Sequence, residues 1–192
     1  TRDSYRINPG DTALVHSGAG GVGLLLTQYI KSLGGRVIAT ASTAAKQDLA
    51  RSAGADLAIG YEDFAIRVKE FTDGKGVNVI YDGVGQSTFE QGLQALGRRG
   101  TFAIFGAASG QVEPIEIMKI STGSIFLTRP TLADFVATRE ELLWRANDVF
   151  AAFLRNDLKI AIVASYALSQ ASDAHLNLEN RTSTGKLILK IR

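Results

Sequence analysis

Three glycines between an apolar strand and an apolar helix constrain this chain more than any other feature. Gly18, Gly20 and Gly23 have the spacing G-x-G-x-x-G. An apolar run precedes them and a helix-favouring run follows, at Ala13–Ser17 and Val22–Leu33. Gly20 allows the backbone to approach a pyrophosphate, Gly23 allows the helix to pack closely on the strand, and the unsatisfied N–H groups at the helix start favour an anion. This arrangement predicts a dinucleotide-binding turn rather than an ordinary glycine turn.

The end of the second apolar run indicates which dinucleotide is favoured. Arg36–Thr40 continues into the sequence ASTAAK, and the first acid downstream is Asp48. In NAD-binding folds, an acid about 20 positions after the glycines takes the ribose 2′-hydroxyl. A carboxylate would repel a 2′-phosphate, whereas Ser42, Thr43 and Lys46 can accommodate one. We therefore expect NADPH (NADP) as the cofactor. Purely structural roles stay open as the alternative, with Lys46 a solvated helix residue and Ser42 or Thr43 an N-cap.

Strand and helix patterns alternate from Ala13 to Phe105. The strand candidates are Ala13–Ser17, Arg36–Thr40, Leu57–Gly60, Val77–Tyr81 and Gly100–Phe105. The helical stretches between them are Val22–Leu33, Ala44–Ala53, Asp63–Thr72 and Thr88–Leu96. Strands that are apolar on both faces and alternate with helices indicate a parallel sheet covered on both sides. Right-handed crossovers then predict an α/β fold, a doubly wound Rossmann sheet of order 3-2-1-4-5-6.

The pattern changes after Phe105, and we expect a helix/strand appendage at the C-terminal end. The expected elements are a sixth strand at Ser124–Thr128, a long helix from Leu132 to Arg155, a strand at Ile160–Ser165, a helix at Gln170–Leu178 and a strand at Lys186–Ile191. The spacing of apolar residues in the long helix predicts one packed face, made of Phe135, Leu142, Leu143, Val149, Phe150 and Phe153. We therefore divide the chain into a dinucleotide-binding domain, 1–130, and a C-terminal segment, 131–192.

Composition excludes several classes of protein and site. The 192 residues are 45% hydrophobic and 21% charged with a net charge of +2, which gives no reason to expect a nucleic acid or a membrane as partner. There is no cysteine, so disulfides, thiol nucleophiles and thiolate metal sites are excluded. With only His16 and His175, far apart in sequence, we expect no metal site. No signal peptide or transmembrane run is visible, so we expect a cytoplasmic location.

Several motifs, taken in this order and spacing, resemble the cofactor-binding part of zeta-crystallin-type quinone oxidoreductases, in the medium-chain dehydrogenase/reductase superfamily. They are Gly10-Asp-Thr, His16 with Gly20-Gly-Val-Gly23, Gly74-Lys-Gly-Val77, Tyr81-Asp82-x-Val84-Gly85, Phe126-Leu-Thr-Arg-Pro-Thr131 and Thr138-Arg-Glu-Glu-Leu142. The resemblance covers nearly everything from Tyr5 to Ile191. It implies a zinc-independent enzyme that transfers hydride from NADPH to quinones or related enones.

The resemblance also implies roles for individual residues. The 2′-phosphate would be held by Lys46, Tyr61 and Arg181, and the pyrophosphate by Gly20, Gly21 and Val22. Val84 would flank adenine or ribose, and Phe105 with the 106–109 loop would approach the nicotinamide. The chain departs from the pattern of many relatives at Gly60, Gly83, Ala107 and Ala108, where side-chain hydrogen bonds are lost.

The same resemblance implies features beyond the cofactor site. Family members have an N-terminal GroES-like catalytic domain on which residues 131–192 would pack, and nothing before Thr1 supplies it here. We therefore expect that the chain is an excised domain, inactive alone, and that Lys186–Ile191 lacks its usual neighbours. Family members also pair their sixth strands, so we expect a homodimer through Ser124–Thr128.

No catalytic residue is assigned from the sequence, and several other functions lack their signatures. His16 is interpreted as a strand residue and Asp82 as a structural cap of the next turn. A short-chain dehydrogenase would need Tyr-x-x-x-Lys, which is absent, and a P-loop would need lysine where Leu24 stands. A methyltransferase would usually need an acid at the end of the second strand to bind the ribose, and none stands there. The alternative that stays open is a stand-alone nucleotide-binding module with a structural or regulatory role.

Overall fold

A computed structural model describes residues 1–180 and 184–191. Six parallel strands form the main sheet in the order β3-β2-β1-β4-β5-β6. The strands are β1 Thr12–Val15, β2 Arg36–Thr40, β3 Leu57–Ile59, β4 Val77–Asp82, β5 Leu96–Ile104 and β6 Phe126–Thr128. This is the doubly wound order that the alternation of strands and helices predicts, so the predicted fold class is confirmed.

Helices that alternate with the strands cover the sheet. They are α1 Gly21–Ser32, α2 Ala44–Ser52, α3 Phe64–Phe71 and α4 Gln86–Ala95. In β1, Leu14 belongs to one apolar cluster with Phe64 and Phe102, whereas its neighbours Ala13 and Val15 belong to a second cluster. Successive side chains of a strand point to opposite faces, so both faces of the central strand are buried. This double burial is why the strands read as continuous apolar runs without alternation.

Two helices stand after β6 where the sequence pattern predicted one, so the prediction of a continuous helix from Leu132 to Arg155 is wrong. Helix α5 covers Leu132–Phe135 and helix α6 covers Arg139–Leu154. Thr138 caps α6: its hydroxyl accepts a hydrogen bond from the Glu141 N–H at 3.2 Å, and the Glu141 carboxylate accepts one from the Thr138 N–H at 3.0 Å. This reciprocal pair satisfies amides that a helix start leaves unpaired, so it begins a new helix.

The apolar face predicted for this helix is largely unpacked within the described residues. Leu142, Leu143, Val149 and Phe150 are exposed, and Ala152 is the buried residue of α6. Beyond α6, strand β7 Ile162–Ala167 pairs in parallel with β8 Lys186–Lys190, and α7 Ala171–Glu179 lies between them in sequence. The last strand therefore has a neighbour in β7. Across the described ranges, every helix is too short or too polar to span a bilayer.

Candidate functional site

A cleft of about 470 Å³ opens at the carboxyl edge of the main sheet. The loops that follow β1, β2, β3, β4 and β5 all contribute to it. Its lining residues are Ser17, Ala19, Gly20, Ala41, Ser42, Lys46, Tyr61, Val84, Ser87, Ala108 and Ser109. The strands β1 and β4 are neighbours although they are not consecutive, so the chain reverses its winding direction here. Open α/β sheets bind ligands at this switch point, outside the carboxyl ends of the strands.

The three glycines of the turn have different roles in the structure. A Cβ on Gly18 would lie 2.6 Å from the Ala39 Cβ, and one on Gly23 would lie 2.8 Å from the Gly18 Cα. These two glycines therefore allow β1, β2 and the start of α1 to pack closely. Gly20 is the N-cap of α1 and borders the cleft, and no side chain caps the helix. Because the first amides of a helix have no intrahelical acceptors, the start of α1 at Gly21 and Val22 presents N–H groups suited to an anion.

The loop after β2 separates the two hydroxyl residues predicted for the site. The Thr43 side chain caps α2 by accepting a hydrogen bond from the Lys46 N–H at 3.3 Å, and it is not among the cleft-lining residues. Ser42 and Lys46 do line the cleft. Among the described residues of the lining there is no Asp or Glu, so the polar groups at this end are hydroxyls and one ammonium.

Tyr61, from the loop after β3, reaches the glycine turn. Its hydroxyl oxygen accepts a hydrogen bond from the Ser17 N–H at 3.1 Å and lies 3.2 Å from the Ser17 Oγ. Arg181, the third residue predicted for the phosphate, lies outside the described residues. Gly185 approaches the start of α1, because a Cβ on Gly21 would lie 3.8 Å from the Gly185 carbonyl oxygen. The C-terminal segment therefore passes close to the turn.

Asp82 shapes the loop after β4, as the sequence interpretation expected. Its buried carboxylate accepts hydrogen bonds from the Val84 N–H at 2.6 Å, the Gly85 N–H at 3.2 Å and the Thr88 hydroxyl at 2.7 Å. Val84 is held in this way at the border of the cleft. With several of its acceptor positions used, Asp82 is a structural residue of the turn.

The 106–110 loop is attached to the same turn. The Ser109 hydroxyl donates to the Val84 carbonyl at 2.9 Å and accepts from the Ser87 N–H at 3.0 Å. The Ser109 N–H also donates to the Val84 carbonyl, at 2.8 Å. These bonds bring Ser87 and Ser109 to the cleft beside Val84.

Phe105 lies away from the cleft lining, at a second cavity of about 400 Å³ that Tyr29, Phe135 and Trp144 also border. Its ring explains one departure from the family pattern. A Cβ on Gly83 would lie 3.0 Å from the Phe105 Cε2, so a side chain at position 83 would press on the ring. Glycine at this position leaves room for Phe105 in its present orientation.

His16 directly follows β1 and is only 2% exposed. Its Nδ1 lies 2.9 Å from the Thr40 Oγ1, and its ring packs edge-on against Phe64. Burial lowers the pKa of His16 to about 4, partly opposed by the charge of Asp82. His16 is therefore neutral near pH 7 and absent from the cleft lining, and it lies just past the end of β1 rather than within the strand, where the sequence interpretation put it.

The structure brings Gly20, Ser42, Lys46, Tyr61 and Val84 together in the cleft, but not every predicted site residue lines it. Those outside the lining are Gly18, Gly21, Val22, Gly23, Thr43 and Phe105. Those that sequence reasoning missed are Ser17, Ala19, Ala41 and Ser87, whereas Ala108 and Ser109 fall in the loop expected to approach the cofactor. Ser17 could have been identified from the sequence, because it stands at the end of a predicted strand. Ser87 has no such local signal, because only the tertiary fold brings it to the cleft.

Comparisons with known proteins find this chain similar to dehydrogenases and quinone oxidoreductases. A family model described as zinc-binding dehydrogenase matches residues 21–179. A probable quinone oxidoreductase of Schizosaccharomyces pombe is 41% identical over 97% of this chain and 57% of its own length. The structure of a mycobacterial quinone oxidoreductase is 46% identical with a TM-score of 0.91, over 97% of this chain and 58% of that one.

A further solved structure carries a ligand. The quinone oxidoreductase of Escherichia coli complexed with NADPH is 39% identical with a TM-score of 0.92, over 98% of this chain and 59% of that one. The chain thus spans less than two thirds of the length of each of these relatives.

Proposed function

The chain belongs to the zinc-binding dehydrogenase family, and from this premise we propose that it is the NADPH-binding part of a quinone oxidoreductase. The observation that carries the proposal is the cleft itself. It joins a glycine turn at a helix start to Ser42, Lys46 and Tyr61, and no acid stands among its described lining residues. Because the chain covers less than two thirds of its relatives, the reductase activity is proposed for a longer protein that contains it.

The residues present fit a dinucleotide that carries a 2′-phosphate. The pyrophosphate would lie at the turn of Gly20, Gly21 and Val22, where helix amides are available. Ser42, Lys46 and Tyr61 would hold the 2′-phosphate, since a phosphate accepts hydrogen bonds from hydroxyls and from an ammonium. Arg181 joins this group by the family resemblance.

Two further positions complete the proposed binding path, one at the adenosine end of the cofactor and one at its nicotinamide end. Val84, held by Asp82 at the cleft border, would flank the adenine or its ribose. Phe105 and the 106–109 loop would lie toward the nicotinamide.

NADPH, when bound, supplies a hydride that a quinone or an enone accepts. The residues of this chain contribute position and electrostatics, by holding the phosphates and fixing the cofactor along the sheet edge. We assign no catalytic acid or base. His16 is buried and neutral, and the Asp82 carboxylate is occupied by hydrogen bonds to Val84, Gly85 and Thr88.

Zinc has no place in this proposal, despite the name of the family. The sequence holds no cysteine and only two histidines. Within residues 1–180 and 184–191, no three His, Cys, Asp or Glu side chains form a group that could hold a metal ion. The described residues of this chain therefore do not fit a zinc site, and the zinc independence of the proposed reductase rests on the family resemblance.

Domain division, assembly and location complete the proposal. We divide the chain at residue 130, because the main sheet ends with β6 at Thr128 and the small β7–β8 sheet lies wholly beyond it. We also propose a zeta-crystallin-like identity, a homodimer through the β6 edge and a cytoplasmic location. Residues 131–192 would pack on the remaining domain of the longer protein, which suits the exposed apolar residues of α6.

Two measurements test the proposal. Titration calorimetry should show that the 192-residue chain binds NADPH more tightly than NADH, and equal affinities would contradict the cofactor assignment. NADPH oxidation, followed by absorbance with benzoquinone as acceptor, should be slow with the chain alone and saturable with the longer protein. Without the catalytic domain to form the other side of the substrate cleft, the quinone is not held in near-attack geometry. Such positioning can lower the barrier to hydride transfer by about 7–11 kcal/mol. Turnover absent from both proteins would favour the nucleotide-binding module.

A further inference from the structure

Ser17 links the glycine turn to Tyr61, and family resemblance assigns it no role. Its backbone has φ +54°, in the left-handed region that L side chains rarely adopt. Its carbonyl accepts the Gly20 N–H at 2.9 Å, so this bend is part of the glycine turn. The N–H and the hydroxyl of Ser17 are both within hydrogen-bond distance of the Tyr61 hydroxyl oxygen, at 3.1 Å and 3.2 Å.

The Tyr61 side chain is also held through its ring. The ring stacks on that of His16 with the centroids 6.2 Å apart and the planes inclined by 19°. His16 is in turn fixed by its contact with Thr40 at 2.9 Å. A phenol that is held at both its ring and its oxygen loses little further freedom when a ligand arrives, which favours binding.

The hydrogen-bond inventory of Tyr61 then determines what it can offer a ligand. A tyrosine hydroxyl donates one hydrogen and accepts through its oxygen. When Ser17 donates both its N–H and its O–H to this oxygen, the accepting capacity of Tyr61 is occupied and its own hydrogen remains. The pair then presents a donor to the cleft, beside Ser42 and Lys46.

We propose that Ser17 is a positioning residue which, by hydrogen-bonding the Tyr61 hydroxyl, makes it a fixed donor to the 2′-phosphate and so contributes to the preference for NADPH. The inference rests on the proposed function, because it requires the phosphate to lie at Tyr61. A phosphate dianion only accepts hydrogen bonds and forms stronger, charge-assisted ones, so a fixed donor favours it over a ribose hydroxyl.

The test uses Ser17→Gly, with 2′,5′-ADP and 5′-AMP as probes that differ in the 2′-phosphate alone. Glycine accepts a positive φ without strain, so this variant removes the hydroxyl and leaves the turn undisturbed. Calorimetry on the 192-residue chain should show affinity for 2′,5′-ADP falling about three- to tenfold, the loss typical of one hydrogen bond, and 5′-AMP changing less than about twofold. Ser17→Ala, which also lacks the hydroxyl, should lose the same affinity.

The matched control is Ser124→Gly. Ser124 is an exposed serine with the same φ of +54° that does not line the cleft, so this change should leave both affinities unaltered. In a Tyr61→Phe background, Ser17→Gly should cost nothing more, because Ser17 acts through the phenol. A loss that persists there would mean direct contact with the phosphate and would overturn the positioning role.

The remaining outcomes separate the two proposals. If Ser17→Gly weakens both probes equally, or neither, the inference about Ser17 fails while the proposed function stands. If the unmodified chain does not distinguish 2′,5′-ADP from 5′-AMP, the proposed NADPH site itself fails.

Discussion

The Nδ1 of His16 lies 2.9 Å from the Oγ1 of Thr40, and this contact joins the carboxyl ends of β1 and β2 inside the protein. The other ring nitrogen, Nε2, is buried without a hydrogen-bond partner among the described residues. A charge here would lack both water and a direct partner, so the ring is held neutral. Burial lowers the pKa of His16 from its ordinary 6.5 to about 4.

This low pKa predicts that stability falls in mild acid. The unfolded chain takes up the proton near pH 6.5, whereas the folded protein resists it until about pH 4. The contribution of His16 is therefore full above about pH 6.5 and is lost as the pH falls toward 4. The total is on the order of 3 kcal/mol, because lowering a pKa by one pH unit corresponds to about 1.4 kcal/mol. Urea unfolding between pH 7.5 and 4.5 measures it.

The control for this prediction comes from the other histidine. In His16→Gln the free energy of unfolding should depend less on pH over this range, whereas His175→Gln, on an exposed position of α7, should keep the full dependence. Equal pH dependence in all three proteins would show that His16 does not titrate as its burial requires.

Lys46→Ala should weaken NADPH binding by roughly 10- to 100-fold and leave NADH binding nearly unchanged. Losing one charge-assisted hydrogen bond to a phosphate typically costs about 1.5–3 kcal/mol. Calorimetry with both cofactors measures the difference. Lys75→Ala is the matched control, because Lys75 borders a separate cavity with Gly76 and Arg98. A parallel loss for NADH would place Lys46 elsewhere on the cofactor.

Gly20→Val should abolish dinucleotide binding without unfolding the protein. Gly20 has φ −76° and ψ 165°, an ordinary extended conformation, and a Cβ there would lie 3.2 Å from the Ser17 carbonyl oxygen, so the turn must shift by only a few tenths of an ångström to accept a side chain. The added methyl groups would occupy the border of the cleft, where the pyrophosphate needs close approach. Circular dichroism should show the fold retained while calorimetry shows no binding. A folded variant that binds NADPH normally would contradict the assigned cleft.

Gly23→Ala should destabilise the fold itself. The new Cβ would lie 2.8 Å from the Gly18 Cα, and this backbone cannot move aside cheaply. Overpacking of this kind typically costs about 1–3 kcal/mol, which urea unfolding would detect. Gly60→Ala is the control, because a Cβ there finds nothing closer than 4.0 Å. The close packing of α1 on the sheet would be disproved if both variants unfolded like the original chain.

The chain should form a dimer in solution through β6. This strand is an edge of the main sheet, and its Phe126 is 61% exposed. An open apolar edge is a liability unless it is paired or covered. Light scattering at micromolar concentration should report a dimer for the unmodified chain and a monomer for Phe126→Lys. Ile66→Lys, at a similarly exposed position on α3, should stay dimeric.

Local signals in the sequence determined the sheet order and the position of the cleft. The glycine spacing is readable because Gly23 lets α1 pack against the backbone of Gly18, and Gly18 in turn lets the turn pack against Ala39 of β2. The sheet is readable because doubly buried strands must be apolar throughout. The missing acid after β2 is a local signal too. The break before α6 also has a local signal, the capping box of Thr138 and Glu141. The continuous apolar spacing on either side of it led to the prediction of one long helix.

Only the tertiary structure decided which residues meet. Ser17 and Tyr61 are far apart in the chain, and they touch because their strands end at the same sheet edge with β2 between them. Gly83 and Phe105 come together in the same way, from the ends of the neighbouring strands β4 and β5. Periodicity and turn chemistry describe each segment against its own neighbours in sequence. They carry no information about side-chain contacts between loops, which depend on strand order, on register and on the direction of each side chain.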